Sequence, residues 1–349
     1  MCEEKSAASL QASVIIPAYN AADTLPRCLE ALKRQSLPVS AYEVIVVDDG
    51  STDDTVAVAE AYGATVVRAR HEGPASARNM GVGRARAPVV VFTDADCEPA
   101  PDFLERMLES LRDPRVSGAR GAYRSRQSGL VARFVQLEYE ERYRHIVRYE
   151  KEHGTVDALD TSYAAYRRQA FLEAGGFDTR FGSAAGEDHE LSFRMARQGH
   201  VFRFVPEAVV YHQHVSTWWG YARRKYRIGY WKAFLTRQHP RYVLGDAHTT
   251  QSLKLQMALT ALSGPAILAW LAGILSGWVV LAPVLLFLLS AIPFLRLIAR
   301  RDPPVLPVAL PLLLTRATAS GLGFFVGLLN ARREASLQKS RMQIGDTGG

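Results

Sequence analysis

The sequence predicts an α/β domain built on a mostly parallel, Rossmann-like sheet and followed by C-terminal transmembrane helices. Three observations carry that expectation. Short β-branched runs alternate with helical patterns at crossover length, which is how parallel sheets are connected. The run Val89-Val90-Val91-Phe92 is continuously apolar, as suits a strand covered on both faces. It stops at Asp94 and Asp96, where such sheets hold their ligands. From Leu255 to Leu295, and again from Val305 to Leu329, charge nearly vanishes over lengths that match a bilayer.

Taken in order, Ser13 to Pro17 is a short strand ended by proline, and Ala18-Tyr19-Asn20 leads to a helix from Asp23 to Gln35. Glu43 to Val47 is the second strand, closing on Asp48-Asp49-Gly50-Ser51-Thr52-Asp53. The last three of these can cap a helix from Asp54 to Tyr62, which Gly63 ends. Thr65 to Arg68 is a third strand. The stretch His71 to Asn79 reads as a connection, with a helix after it that leads to the strand ending at Asp94. Pro99-Ala100-Pro101-Asp102 has the form of a helix start, and Arg126 to Lys151 reads as a charged, aromatic helix across the sheet face. A short strand, Ala208 to Tyr211, precedes His212 and His214. Neither a Gly-x-Gly-x-x-Gly loop nor a Walker-type lysine loop is present, so phosphates must be neutralised by metal and arginine.

Charge divides the chain. From His212 onward there are 16 Lys+Arg against 4 Asp+Glu, so the net charge of +7 combines a mildly acidic head with a basic, apolar tail. Anionic lipid headgroups and pyrophosphate explain such a tail; nucleic acid does not. The start, Met1-Cys2-Glu3-Glu4-Lys5, lacks the basic-then-apolar form of a signal peptide, so the head is expected in the cytosol. Cys2, Cys28 and Cys97 have no paired spacing and are read as reduced, with Cys97 a small buried residue.

The expected organisation is a tail over residues 1–12, a catalytic domain over 13–214, basic-aromatic helices over 215–250, a membrane domain over 251–330 and a polar tail over 331–349. Two spans joined near Ser276-Gly277 fill the first apolar stretch. The second is expected to be re-entrant or interfacial, because a third crossing would export Arg332, Arg333 and Lys339. Arg316 is its anomaly, since a charge at mid-span costs about 2.5 kcal/mol or more. It either faces a headgroup phosphate or marks a segment that does not cross.

Two carboxylates one residue apart repel each other, and a divalent cation removes the conflict. Hard oxygen ligands suit Mg²⁺ or Mn²⁺, which take one or two protein carboxylates and complete their shells with water and phosphate. The competing reading of Asp94 and Asp96 is a turn that caps the next helix.

Four motifs together resemble the family 2 inverting glycosyltransferases of the GT-A fold: Ser13 to Asn20, Val47 to Asp53, the Gly73 to Gly81 stretch with Ala77-Arg78-Asn79, and Thr93-Asp94-Ala95-Asp96-Cys97. The likeness continues through Tyr163 to Arg168, Gly175 to Asp178 and Gly186 to Leu191, and covers roughly residues 13 to 230. It implies that Pro17, Ala18, Tyr19 and Asp49 hold the nucleotide base. Arg78 would face base or diphosphate, Asp94 the ribose or a metal-bound water, and Asp96 a Mg²⁺ or Mn²⁺ ion whose site His212, rather than His214, completes. Asp188 would be the base that takes a proton from the acceptor, with Glu187 orienting sugar or acceptor hydroxyls. Their competing reading is a helix N-terminus complemented by carboxylates. Arg224 and Arg227 loosely resemble the segment that closes over the donor pyrophosphate in membrane-bound members. An interfacial helix explains them equally well, with Trp218, Trp219 and Trp231 at the lipid boundary. The glutamine and tryptophan of the processive synthases are absent, which argues against polymerisation. Loops such as Thr155 to Ser162 and Phe181 to Ala185 would sort sugars.

The implied function is a membrane-anchored, metal-assisted transfer of a sugar from a nucleotide-diphosphate donor, with UDP the expected nucleotide, to a hydroxyl of a glycan or lipid-linked acceptor. The implied location is the cell membrane, multi-pass, with the catalytic domain on the cytoplasmic side. Two rivals stand: a polyprenyl-phosphate glycosyltransferase, whose acceptor is already an anion and needs no base, and a non-catalytic membrane scaffold that binds nucleotide sugar.

Overall fold

Residues 9–180, 186–238 and 249–345 are described in the computed structural model, without the side chains of Gln238 and residues 332–345. The candidate sugar-sorting residues Phe181 to Ala185 lie outside them. The chain forms two compact units: residues through Gln127 with Arg142–His214, and Ser128–Glu141 with Val215 onward.

The first unit is built on the expected alternation. Strand β1 (Ala12–Ala18) is followed by α1 (Leu25–Lys33), β2 (Tyr42–Asp48), α2 (Thr55–Ala61), β3 (Thr65–Arg68), α3 (Pro74–Arg84) and β4 (Val89–Thr93). Val14, Ile15, Ile16, Val46, Val47, Val90, Val91 and Phe92 are buried, which is why these runs carry no polar alternation. The helices cover the sheet closely. A Cβ on Gly81 of α3 would sit 2.4 Å from Ile15 Cγ2, so this position needs glycine. Helix α3 starts earlier than the sequence reading placed it: the connection over His71 to Asn79 is helical from Pro74. Gly73 takes a left-handed φ of 92° and Pro74 supplies the fixed φ of a first helical residue.

The rest of the unit comprises β5 (Cys97–Pro99), α4 (Phe103–Ser110), β6 (Val116–Arg124), β7 (Tyr163–Arg167), α6 (Arg168–Glu173), α7 (Glu187–Arg197) and β8 (Val201–His212). The eight strands form one sheet in the order β3-β2-β1-β4-β7-β6-β8-β5. It is parallel across β3-β2-β1-β4 and between β6 and β8. β7 enters reversed against β4 and β6, and β5 runs antiparallel to β8, so the sheet is mixed. Register aligns Ala18 with Asp48 and Asp48 with Arg68, bringing the carboxyl ends of the parallel strands to one edge.

Helix α5 (Leu130–His153) contributes its first turns to the second unit, with α8 (Trp218–Gln238), α9 (Gln251–Leu271), α10 (Gly277–Arg301) and α11 (Leu306–Gly345). Among the described residues two segments are long and apolar enough to cross a membrane, Gly277–Arg301 and Pro303–Ala331. α9 and α10 are joined just before Gly277, at the expected break, but of the two spans expected in this stretch only α10 is long and apolar enough to cross. Through the second apolar stretch α11 is one continuous helix, without the reversal of the re-entrant form expected there; the interfacial form of that expectation is compatible with it.

Arg316 is buried rather than turned outward. It faces no headgroup: its Nη1 lies 3.3 Å from both Glu138 and Glu141, and its Nη2 donates to Gln256 Oε1 at 2.9 Å. Lys225 Nζ, 2.9 Å from Glu138, completes a buried set of paired charges. The guanidinium is thus paired inside the protein through Nη1 and Nη2, while its Nε has no hydrogen-bond partner among the described residues.

Candidate active site

Because the parallel strands end together, the residues that follow them converge. A cavity of about 410 Å³ is lined by Pro17, Ala18, Tyr19, Asp49, Arg78, Asp94 and Asp96, with smaller neighbours between them. Seven sequence-predicted positions therefore share one wall.

Asp49 is a buried carboxylate that holds the loop before α3. Its two oxygens accept from the backbone N–H groups of Glu72 and Gly73, each at 2.9 Å. Each oxygen keeps a further lone pair for a ligand N–H. The same loop carries His71, a residue the sequence reading gave no role. At a φ of 58° it sets its ring 4.2 Å from that of Tyr19, and its Nδ1 lies 3.0 Å from the Asp49 carbonyl.

Arg78 is the centre of the site. Fully inside α3's packing, it donates from Nη2 to Asp94 Oδ1 and from Nη1 to Glu187 Oε1, both at 2.9 Å. Asp94 accepts a second bond from Ser162 Oγ, in one of the candidate sugar-sorting loops. Burial works against the Arg78 charge, but Asp94 and Glu187 hold the guanidinium above its usual range. Burial, with Asp188 adding to it, pushes the Glu187 carboxyl up to about 7 against the pull of Arg78. Arg78 Nε and Glu187 Oε2 are buried with no hydrogen-bond partner among the described residues, so the network has room for a ligand or water to complete it.

Asp96 stands more open. Its side chain is 49% exposed, and its Oδ2 lies 3.4 Å from His212 Nε2. Strand pairing causes this, since Cys97 of β5 is directly opposite His212 of β8. The imidazole is steadied by Tyr123, whose ring stacks on it at 4.7 Å, and by His214 at 3.4 Å between Nδ1 atoms. Burial alone would raise the Asp96 carboxyl, but the bond to His212 and its charge bring it below the ordinary value. Asp94, Asp96 and Cys97 bring ligand atoms within 4.8 Å of one another. The Cys97 thiol is buried and its pKa pushed well up, so it stays neutral, and the available donors are carboxylate and imidazole. That donor set fits Mg²⁺ or Mn²⁺. Both oxygens of Asp94 are already engaged, so Asp96 is the more open carboxylate, with the His212 imidazole beside it.

Asp188, at the first turn of α7, lies with Asp160 and His189 in a second group whose ligand atoms fall within 4.8 Å. His189 Nε2 is 3.5 Å from Asp160 Oδ1. Asp160 in turn is paired with Arg120, and Tyr163 Oη donates to it at 2.6 Å. This buried arginine and Asp160 were missed by the sequence reading. The only signal was that Asp160 sits in the flagged loop Thr155 to Ser162. Arg224 and Arg227 belong to the second unit. Arg224 donates to Tyr139 Oη at 2.8 Å and Arg227 is exposed.

Residues 13–175 match, and belong to, Glycosyl transferase family 2. Glycosyltransferase AglE of Haloferax volcanii is 36% identical over 105 residues, 28% of this chain and 34% of that protein. The pre-mycofactocin glycosyltransferase of Mycobacterium tuberculosis is 30% identical over 280 residues, 74% of this chain and 52% of that one. The chain thus spans between a third and about half the length of these two relatives. The mannosyltransferase PcManGT from Pyrobaculum calidifontis, solved with GDP-Man and Mn²⁺, shares the fold at a TM-score of 0.57 and 21% identity. That likeness covers 93% of this chain and 87% of the other.

Proposed function

We propose that the protein is a membrane-anchored inverting glycosyltransferase that moves a sugar from a nucleotide-diphosphate donor, UDP being the expected nucleotide, to a hydroxyl of a glycan or lipid-linked acceptor. The observation that carries this is the Arg78 bridge, which ties the nucleotide-side carboxylate Asp94 to Glu187, next to Asp188. That bridge supports reading donor pocket and base as one construction. The complex of PcManGT with GDP-Man and Mn²⁺ supports the class of donor and cofactor.

In this reading Tyr19, Pro17 and Ala18 form the wall for the base, and Asp49 accepts from its N–H group. Asp96 and His212, with Asp94 beside them, would hold a Mn²⁺ or Mg²⁺ ion. Such an ion, when bound, offsets the charge that grows on the departing nucleoside diphosphate. Arg78 holds Asp94 and Glu187 in place, and Glu187 orients hydroxyls. Asp188 accepts the proton of the acceptor hydroxyl as it attacks the sugar on the face opposite the leaving group. The exposed apolar residues of α9 and α10 anchor the protein in the cell membrane, with the sheet unit on the cytoplasmic side.

Asp188→Asn tests the role of the base. Turnover should fall about 10²–10⁴-fold while the donor Kd stays within about twofold. An unchanged rate would exclude Asp188 as the base and favour an acceptor that is already a phosphate anion.

A further inference from the structure

Pro303–Ala331 satisfies the length and hydropathy of a membrane span, but its neighbour argues against a crossing. Helix α8 runs parallel to α11 and touches it backbone to backbone. A Cβ on Gly323 would fall 2.0 Å from Tyr226 O, one on Gly327 2.3 Å from Tyr230 O, and one on Gly229 2.1 Å from Ser320 O. The contact is pinned at both ends, by Trp218 Nε1 donating to Thr315 Oγ1 at 3.1 Å and by Arg237 Nη1 donating to the Ala331 carbonyl at 2.6 Å. α8 therefore accompanies α11 from Thr315 to Ala331.

That companion is charged. Arg223 and Arg227 are exposed and stand abreast of the Ser320 to Gly323 stretch. Were Pro303–Ala331 to cross, both guanidiniums would be carried into hydrocarbon, where an exposed arginine is costly. Arg316 would sit there too, with its partners Glu138 and Glu141. The stretch that α8 accompanies, Thr315 to Ala331, is thus most of Pro303–Ala331, and a crossing needs roughly 20 apolar residues.

The hairpin of α9 and α10 has exposed apolar side chains, as α11 has in Leu314, Leu322, Phe325 and Leu329, but no charge between Leu255 and Leu295. Leu262, Leu268, Leu271, Ile274 and Trp278 are all at least 64% exposed. At its return end Arg296, Arg300 and Arg301 are exposed, complementary to anionic headgroups.

We infer that Pro303–Ala331 does not cross the membrane: the α8–α11 pair lies at the bilayer surface, its Trp218, Trp219, Arg223 and Arg227 face meeting the headgroups, while the α9–α10 hairpin enters the bilayer and returns. Both ends of the chain then lie on one side. The inference rests on the membrane-anchoring reading above, and the test separates the two.

The full chain, carrying different epitope tags at its two ends, is expressed in bacterial cells. Membranes are washed with alkaline carbonate and sealed inside-out vesicles are treated with protease. The inference expects the protein to stay with the membrane, both tags to be digested, and a cysteine at the α10–α11 turn (Arg301→Cys in a Cys2→Ser background) to be labelled by an impermeant maleimide from that same side. One protected tag, or both tags digested with the Arg301→Cys thiol shielded until the vesicles are opened, with the protein still membrane-bound, would show Pro303–Ala331 crossing and overturn the inference while leaving the anchoring intact. Release by carbonate would overturn the anchoring itself, and this inference with it.

Discussion

At the scale of the residue, the site turns on one buried arginine shared by two carboxylates. Arg78 keeps its charge because Asp94 and Glu187 answer it, and Glu187 in turn is the member most burdened by burial. A carboxyl whose folded pKa is raised binds its proton more tightly when folded than when unfolded. Its contribution to stability is therefore full below the ordinary value of 4.5 and is lost as pH rises through about 7. Glu187→Gln should remove this slope: compared with the natural chain, its thermal midpoint in detergent should gain between pH 5 and pH 8. A parallel pair of pH profiles would show that Glu187 does not titrate in this window.

Much of the wall at this scale was legible in the sequence. Pro17 to Tyr19, Asp49, Arg78, Asp94 and Asp96 each sit in a local motif at a strand end or on the helix that follows one, and the strand register puts them together. What was not legible was who pairs with whom. Arg78 and Glu187 are 109 positions apart, and Arg120 meets Asp160 only because β6 and the loop before β7 fold over each other. No spacing in a sequence encodes such a pair. His71 was missed because its role comes from a left-handed backbone angle, not from its chemistry.

At the scale of the element, close helix packing depends on missing side chains. The α8–α11 contact leaves no room at Gly323, whereas Gly264 on α9 has nothing within 4 Å of a Cβ. Gly323→Val should lower stability by about 1–3 kcal/mol, while Gly264→Val should be close to neutral, as read from thermal midpoints in detergent. Equal effects would mean that helix propensity, not packing, decides. The elements were read in full only as far as β4: β5, β6 and β7 were not read as strands, and β8 only over its end, Ala208 to Tyr211. Period, caps and proline punctuation placed every strand from β1 to β4, and α3 was read late only because the Gly73-Pro74 signal was taken as loop. The antiparallel entry of β7 could not be read, since it depends on how α5 returns the chain to the sheet.

At the scale of the whole molecule, the chain joins a glycosyltransferase family 2 sheet unit to a helical unit that contains its own charge network. Arg316 illustrates why the second unit resists a reading by hydropathy. In the sequence it is one charge in an apolar run; in the fold it is paired with Glu138 and Glu141 from a helix more than 170 positions away. Were it lipid-facing, Arg316→Leu would stabilise the protein. Its pairing predicts the reverse, a loss of about 3–5 kcal/mol as two buried carboxylates lose their partner, visible as a lowered midpoint in detergent.

The central claim is that the cavity beside Asp94 and Asp96 takes a nucleotide-sugar donor with a divalent cation. Thermal stabilisation of the detergent-purified protein by UDP-, GDP- and dTDP-sugars, with and without Mn²⁺ and repeated on Asp96→Ala, tests it most directly. The account predicts a shift that one nucleotide produces, that needs the metal, and that Asp96→Ala abolishes. A shift that persists without metal and in Asp96→Ala, or none with any donor, would contradict it.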